Sequence, residues 1–152
     1  MKGERKMDTA AIKNSVIAMF AVIGGCIAGA LGGWDVMLKA LLTVMTVDYI
    51  MGLIIALVFH KSPKTESGRA SSDKCIKGIF KKGVILLIVL VAAQLDSVTG
   101  GEYVRNIVIS FFIGSEGLSI LENAGIIGIP FPAFLKNALE ALQDKGDAKN
   151  ST

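Results

Sequence analysis

A twenty-residue run almost free of charge leaves a chain few ways to fold. Residues 12–31, IKNSVIAMFAVIGGCIAGAL, are such a run. As a helix rising about 1.5 Å per residue, it crosses roughly 30 Å of hydrocarbon. In lipid every backbone polar group needs an internal partner, and a single helix supplies these by itself. Residues 36–59, VMLKALLTVMTVDYIMGLIIALVF, repeat the pattern, with Lys39 near enough to the start to reach back to the headgroups. The overall hydrophobic fraction of 52% is only slightly above that of a soluble protein. Segregation of charge therefore carries the argument, and it points to a bilayer.

Two further apolar segments follow. Residues 83–98 contain GVILLIVLVAAQL, short for a crossing unless flanking turns contribute or the bilayer thins. Residues 104–121 are apolar around 107–114 but are interrupted by Arg105 and Glu116. Between the second and third segments, residues 60–82 read as a polar, basic loop, and CIKGIFKK at its end suits a membrane interface. A Gly/Pro break at 125–132 precedes residues 131–143, which read as a short amphipathic helix. Phe131, Leu135, Ala138, Leu139 and Leu142 share one face, with Lys136, Asn137, Glu140 and Gln143 opposite. The expected fold class is all-α: an integral membrane protein of about four transmembrane helices plus that C-terminal helix. A segment 1–11 leads into a membrane domain 12–143, and a polar, disordered tail 144–152 ends it.

Basic residues orient this arrangement. Fourteen of the sixteen Lys and Arg fall in the first thirteen residues, in 60–82 or in the C-terminal region, and only Lys39 and Arg105 lie near the other two turns. With four spans, the positive-inside rule places both termini and the central loop in the cytoplasm of a bacterial cell. Lys2, Arg5 and Lys6 before an apolar run imitate a signal peptide, but the later apolar segments favour a retained first span. Cys26 and Cys75 suggest neither a disulfide framework nor a metal site. No catalytic constellation, cofactor-binding loop or metal-ligand set is visible, and one histidine, His60, excludes a His-based metal site. The basic loop suits anionic lipid better than nucleic acid.

Two features of the spans can carry function. Ala21, Gly25, Gly29 and Gly33 recur every fourth residue, a spacing that lets helix backbones approach closely in lipid. The stripe serves either assembly of several copies or packing inside one. Asp48 lies near the middle of the second span and Glu116 within the fourth. A carboxylate at that depth costs roughly 2.5–3.5 kcal/mol, so each must face protein or water. Each either lines a subunit contact or hydrated path, or fixes the fold by an internal hydrogen bond. Arg105 reads as an interfacial anchor paired locally with Glu102.

The stretch SFFIGSEGLSILENAGIIGIPFPAFLKNALEAL, residues 110–142, resembles the phage lysis and toxin-secretion holin family, including clostridial toxin-release members. Its most specific elements are EGLSILEN, with Glu116, Gly117, Ser119, Glu122 and Asn123, and the following GIPFP, with Pro130 and Pro132. VDYIMGLIIA at 47–56, SSDKCIKGIFKK at 71–82 and the Leu95-Asp96 pair fit the same family in the same order. The resemblance covers about residues 36–143. Ser115 departs from the Asn usual before the Glu-Gly pair.

The resemblance implies a non-enzymatic protein that accumulates in the cytoplasmic membrane, oligomerises and opens lesions. Its partners would be membrane lipid and further copies of itself. Endolysin or toxin would pass through as cargo. The residues alone also admit a small multi-span transporter or efflux subunit, with Asp48 or Glu116 as a coupling group, or a structural membrane anchor.

Overall fold

The computed structural model describes residues 4–62, 67, 70–101 and 103–147. Among these residues five helices follow one another: α1 (Glu4–Ala30), α2 (Val36–Ile54), α3 (Ser72–Thr99), α4 (Val104–Ile126) and α5 (Ala133–Asp147). A wider π turn, Ile55–Phe59, prolongs α2, and no strand occurs among the described residues.

Local chemistry sets the helix ends. Gly32 and Gly33 adopt φ of +87° and +106°, a region that favours glycine, and break the chain after α1. Asp35 then caps α2, its carboxylate accepting from Leu38 N–H at 2.8 Å. The π turn stops at His60, in the left-handed region at φ +51°, with its ring Nδ1 3.1 Å from the Ala56 carbonyl. Gly100 closes α3 at φ +68°. The first N–H groups of α4 are capped from the last turns of α3: Asp96 accepts from Val104 N–H at 3.0 Å and Arg105 N–H at 2.9 Å. Pro130 and Pro132, which cannot donate to a helix, lie in the link to α5.

α2, α3 and α4 form an antiparallel bundle. One end of it carries the 31–35 and 99–103 turns, and the other the 60–72 and 127–132 links; these are the turn end and the loop end below. The core between them consists of Leu38, Leu41 and Met45 from α2, Ile85 and Val89 from α3, and Ile109 from α4. α5 doubles back along α4. α1 stands apart, touching α3 near the turn end, where Gln94 Nε2 donates to the Ala30 carbonyl at 3.2 Å.

Among the described residues, three segments are long and apolar enough to cross a membrane: Thr9–Ala30, Val36–Phe59 and Val104–Ile126. The segment expected at 83–98 is helical but is not one of these three. It belongs to a 28-residue helix starting at Ser72, so the basic stretch 72–82 is not loop. Lysine is a good helix former, and nothing before Gly100 ends the helix. Helix likewise extends past the expected limits in α1, which starts at Glu4, and in α4, which continues beyond 121 because Asn123 and Ala124 are buried. The tail expected to be disordered from 144 is helical to Asp147, and 148–152 lie outside the described residues. Half of residues 62–73, within the expected loop, lies outside them too.

Candidate functional site

Charged side chains from three helices meet inside the bundle. Asp48 lies twelve residues past Val36 at the start of α2, and Glu116 twelve past Val104 at the start of α4. At about 1.5 Å per residue, both are roughly 18 Å from the turn end. Lys82 bridges them from α3: its ammonium donates to Asp48 Oδ2 at 3.0 Å and to Glu116 Oε2. Asn123, two turns beyond Glu116 on the same face of α4, donates from Nδ2 to Asp48 Oδ1 at 3.2 Å. The Lys82, Asp48 and Glu116 side chains are only 16%, 10% and 3% exposed.

Helical period explains the meeting. Gly78, Lys82, Ile85, Val89, Ala92 and Asp96 are three or four residues apart and form the inward stripe of α3. Lys82 is thus in register with the core although it ends a basic stretch. Two carboxylates against one ammonium leave this buried group with a net charge of −1 when all three are ionised. A lysine between two carboxylates removes much of their cost in a low-dielectric surrounding, while taking any one member away leaves an uncompensated charge.

A cavity of about 90 Å³ adjoins the cluster and runs towards the loop end, between Tyr49, Gly52, Ser71, Cys75 and Ser119. Its polar lining and size admit several water molecules. On the other side of the cluster the apolar core fills the bundle as far as the turn end. The charges therefore have a polar approach from one end only.

A second ionic contact closes the turn end. Arg105, 6% exposed, grips the Asp35 carboxylate with both terminal nitrogens, at 2.6 Å and 3.2 Å. It also donates to the carbonyls of Leu31 and of Gly33, the latter at 3.3 Å. A Cβ on Gly32 would lie 2.6 Å from the Arg105 side chain, so this close approach requires glycine. The Arg105 hydrogen bonds hold the Asp35 carboxyl below the usual carboxylate range. Partial burial opposes this shift and the Leu38 N–H reinforces it. Arg105 thus pairs at long range. Its partner lies 70 residues away, and Glu102 is outside the described residues.

The structure brings Asp48, Glu116 and Asn123 together, with Ser119 on the cavity wall. Gly117 faces elsewhere: a Cβ there would meet the Leu139 side chain of α5 at 2.6 Å. Glu122, Pro130 and Pro132 are exposed and outside the cluster. Gly25 and Gly29 of α1 are far from it, and a Cβ at either meets nothing among the described residues within 4 Å; Gly33, expected in the same stripe, lies beyond the end of α1 in the turn, at φ +106°. The sequence reading missed Lys82, Asp35 and Asp96. For Lys82 the available signal was its spacing from Ile85 and Val89.

The sequence profile of the bacteriophage holin family matches residues 25–144. The chain belongs to this family. An uncharacterised protein of Clostridium perfringens is 36% identical over 124 residues, covering 78% of this chain and 83% of that one. An uncharacterised protein of Listeria monocytogenes is 37% identical over 127 residues, 82% of this chain and 85% of its own. A probable holin of Bacillus phage phi105 is 29% identical over 113 residues, 74% and 78% of the two chains. No solved structure matches. Family membership and the apolar helices together make this holin-like chain a membrane protein. The matched residues 25–144 contain the whole Asp48–Lys82–Glu116–Asn123 cluster.

Proposed function

We propose that this chain is a holin. It oligomerises in the bacterial cytoplasmic membrane and permeabilises it, so that an endolysin or a toxin leaves the cell. The observation that carries this reading is the state of α1. Its crossing segment is 0% buried, its apolar side chains are exposed all round, and among the described residues nothing packs within 4 Å of where a Cβ on Gly25 or Gly29 would lie. Lipid covers such a helix, and close backbone packing in lipid is what small residues every fourth position provide. A second copy is the natural partner for that stripe.

Four crossings, with the N-terminus, the 60–82 loop and the start of α5 on the cytoplasmic side, suit this chain best. Ile76, Phe80, Leu87, Val91 and Val98 form an exposed apolar face along α3. From 76 to 98 it covers about 33 Å at 1.5 Å per residue, enough for the hydrocarbon core. The basic residues then lie on one side. In a chain with Cys26 and Cys75 replaced by Ser, cysteines at Ser67 and Gly101 test this. An impermeant thiol reagent on intact cells is expected to label position 101 alone, and labelling at 67 before lysis overturns the topology.

The cavity beside Asp48 and Glu116 is also what a coupled transporter would need, and this supports a second reading. Induced expression with membrane potential and dye entry followed in time separates the two. A holin collapses the potential and admits dye after a period of accumulation. A chain that reaches high membrane levels while the potential holds and dye stays out is not a holin on its own. Gradient-driven uptake by the purified protein would then favour transport.

A further inference from the structure

The glycines of α4 fix how deep α5 lies. A Cβ on Gly114 would be 2.6 Å from the Leu139 carbonyl oxygen and 2.7 Å from Gln143 N, and one on Gly117 would be 2.6 Å from the Leu139 side chain. The two backbones therefore touch, antiparallel, with Gln143 level with Gly114 and Leu139 level with Gly117. Gly114 is twelve residues before Ile126, so Gln143 lies about 18 Å in from the loop end of α4. On the same scale Glu140 is level with Glu116. α5 thus runs along a membrane-crossing helix to past its middle.

The exposed surface of α5 does not suit lipid all round. Phe134 is 71% exposed, and with Phe131, Leu135 and Ala138 it forms one apolar side. Lys136, Glu140 and Asp144 follow at four-residue steps, with Asn137 beside them, on the other. Lys136 Nζ is 3.6 Å from Glu140 Oε1, and both side chains are about half exposed. Charged groups at that depth are costly in hydrocarbon and occur where protein or water covers them. Among the described residues nothing covers them.

We infer that the polar row Lys136–Asn137–Glu140–Asp144 of α5 lines a water-filled lumen enclosed by several copies of this chain. The apolar side with Phe134 faces lipid or the neighbouring copy. This rests on the pore-forming reading and deepens it: α5 is the element that meets the aqueous path, and α4 carries it there. The row presents two carboxylates, one ammonium and an amide, so the lumen wall is polar with a slight excess of negative charge.

The full chain, with Cys26→Ser and Cys75→Ser, is reconstituted into phospholipid vesicles holding a fluorescent dye. Asn137→Cys, Glu140→Cys and, as a lipid-facing control, Leu87→Cys are each compared before and after a charged, impermeant methanethiosulfonate. The expected result is that positions 137 and 140 react and that modification removes most of the dye release of the same variant. Leu87→Cys neither reacts nor changes. Protection at 137 and 140 means a dry contact and overturns the inference. Reaction there without any change in release means that α5 lies in solution outside the membrane, and overturns it too. If the chain with its native residues at 87, 137 and 140 releases no dye, the pore reading itself fails and the lumen with it. Failure of the α5 assignment alone leaves that release intact.

Discussion

Lys82→Met is the most informative single change. It keeps the length of the side chain and removes the ammonium shared by Asp48 and Glu116. Two carboxylates are then left in the bundle, Asp48 with the Asn123 amide and Glu116 with the solvent-exposed Lys81 ammonium 4.0 Å away. Removing one partner of a buried ion pair costs about 3–5 kcal/mol. The cavity admits water to this cluster, so the lower end applies, about 3 kcal/mol. At ~1.4 kcal/mol per tenfold this is a roughly hundredfold loss in the folded-to-unfolded ratio. The assay is unfolding of the purified protein in mixed micelles of rising SDS fraction, followed by helical circular dichroism. Combining Lys82→Met with Asp48→Asn and Glu116→Gln removes all three charges, and most of the lost stability is expected to return. If Lys82→Met unfolds at the same SDS fraction as the unchanged chain, the bridge does not hold the helices together. If the triple change recovers nothing, packing rather than charge explains the loss.

Other perturbations address other contacts. The folded-state carboxyl of Asp35 titrates below its unfolded value, so its contribution is complete above about pH 4 and disappears as pH falls through the lower folded value. Thermal unfolding in detergent between pH 5 and 2.5 is expected to show a small acid loss that Asp35→Asn lacks. Gly114→Ala places a methyl group against the α5 backbone, an overpacking of about 1–3 kcal/mol. It is expected to expose α5 to protease while α2–α4 keep their resistance. Gly29→Leu meets open space in its own chain, so helical content is expected to stay unchanged while the cross-linked oligomer ladder shortens. An unchanged ladder excludes that face from assembly.

Much of the helical layout was legible because lipid demands long uncharged helices and because α5 has a clear 3.6-residue period. The second apolar segment was read at 36–59, and a helical stretch long and apolar enough to cross a membrane runs over Val36–Phe59. Asp48 and Glu116 were legible as costly groups in need of partners. Their partner was not, because Lys82 stands 34 residues from each and only the rotation of α3 in the bundle turns it inward. The Arg105–Asp35 contact crosses 70 residues and depends on the Gly32 turn lying close to α4. Pairings of this kind arise from packing, and local pattern carries no trace of them. The early start of α3 was hidden for a different reason: lysine signals a polar surface in a charge count but does not end a helix.

Asp96 and Arg105 give the bundle a pivot. Asp96 joins the last turns of α3 to the first turn of α4, and Arg105 ties that joint to the link between α1 and α2. At the other end the α2–α3 connection is long, and the cavity replaces packed side chains. Two ends fastened so differently cannot yield equally. Helices that spread must do so like the ribs of a fan, opening where the cavity is and turning about the arginine. Amide hydrogen exchange would register this as a gradient along α2 and α4, slowest beside Leu38 and Ile109 and fastest towards Phe59 and Ile126, and a uniform rate along both helices would rule it out. A chain built in this way can admit water from one face while the opposite face stays shut.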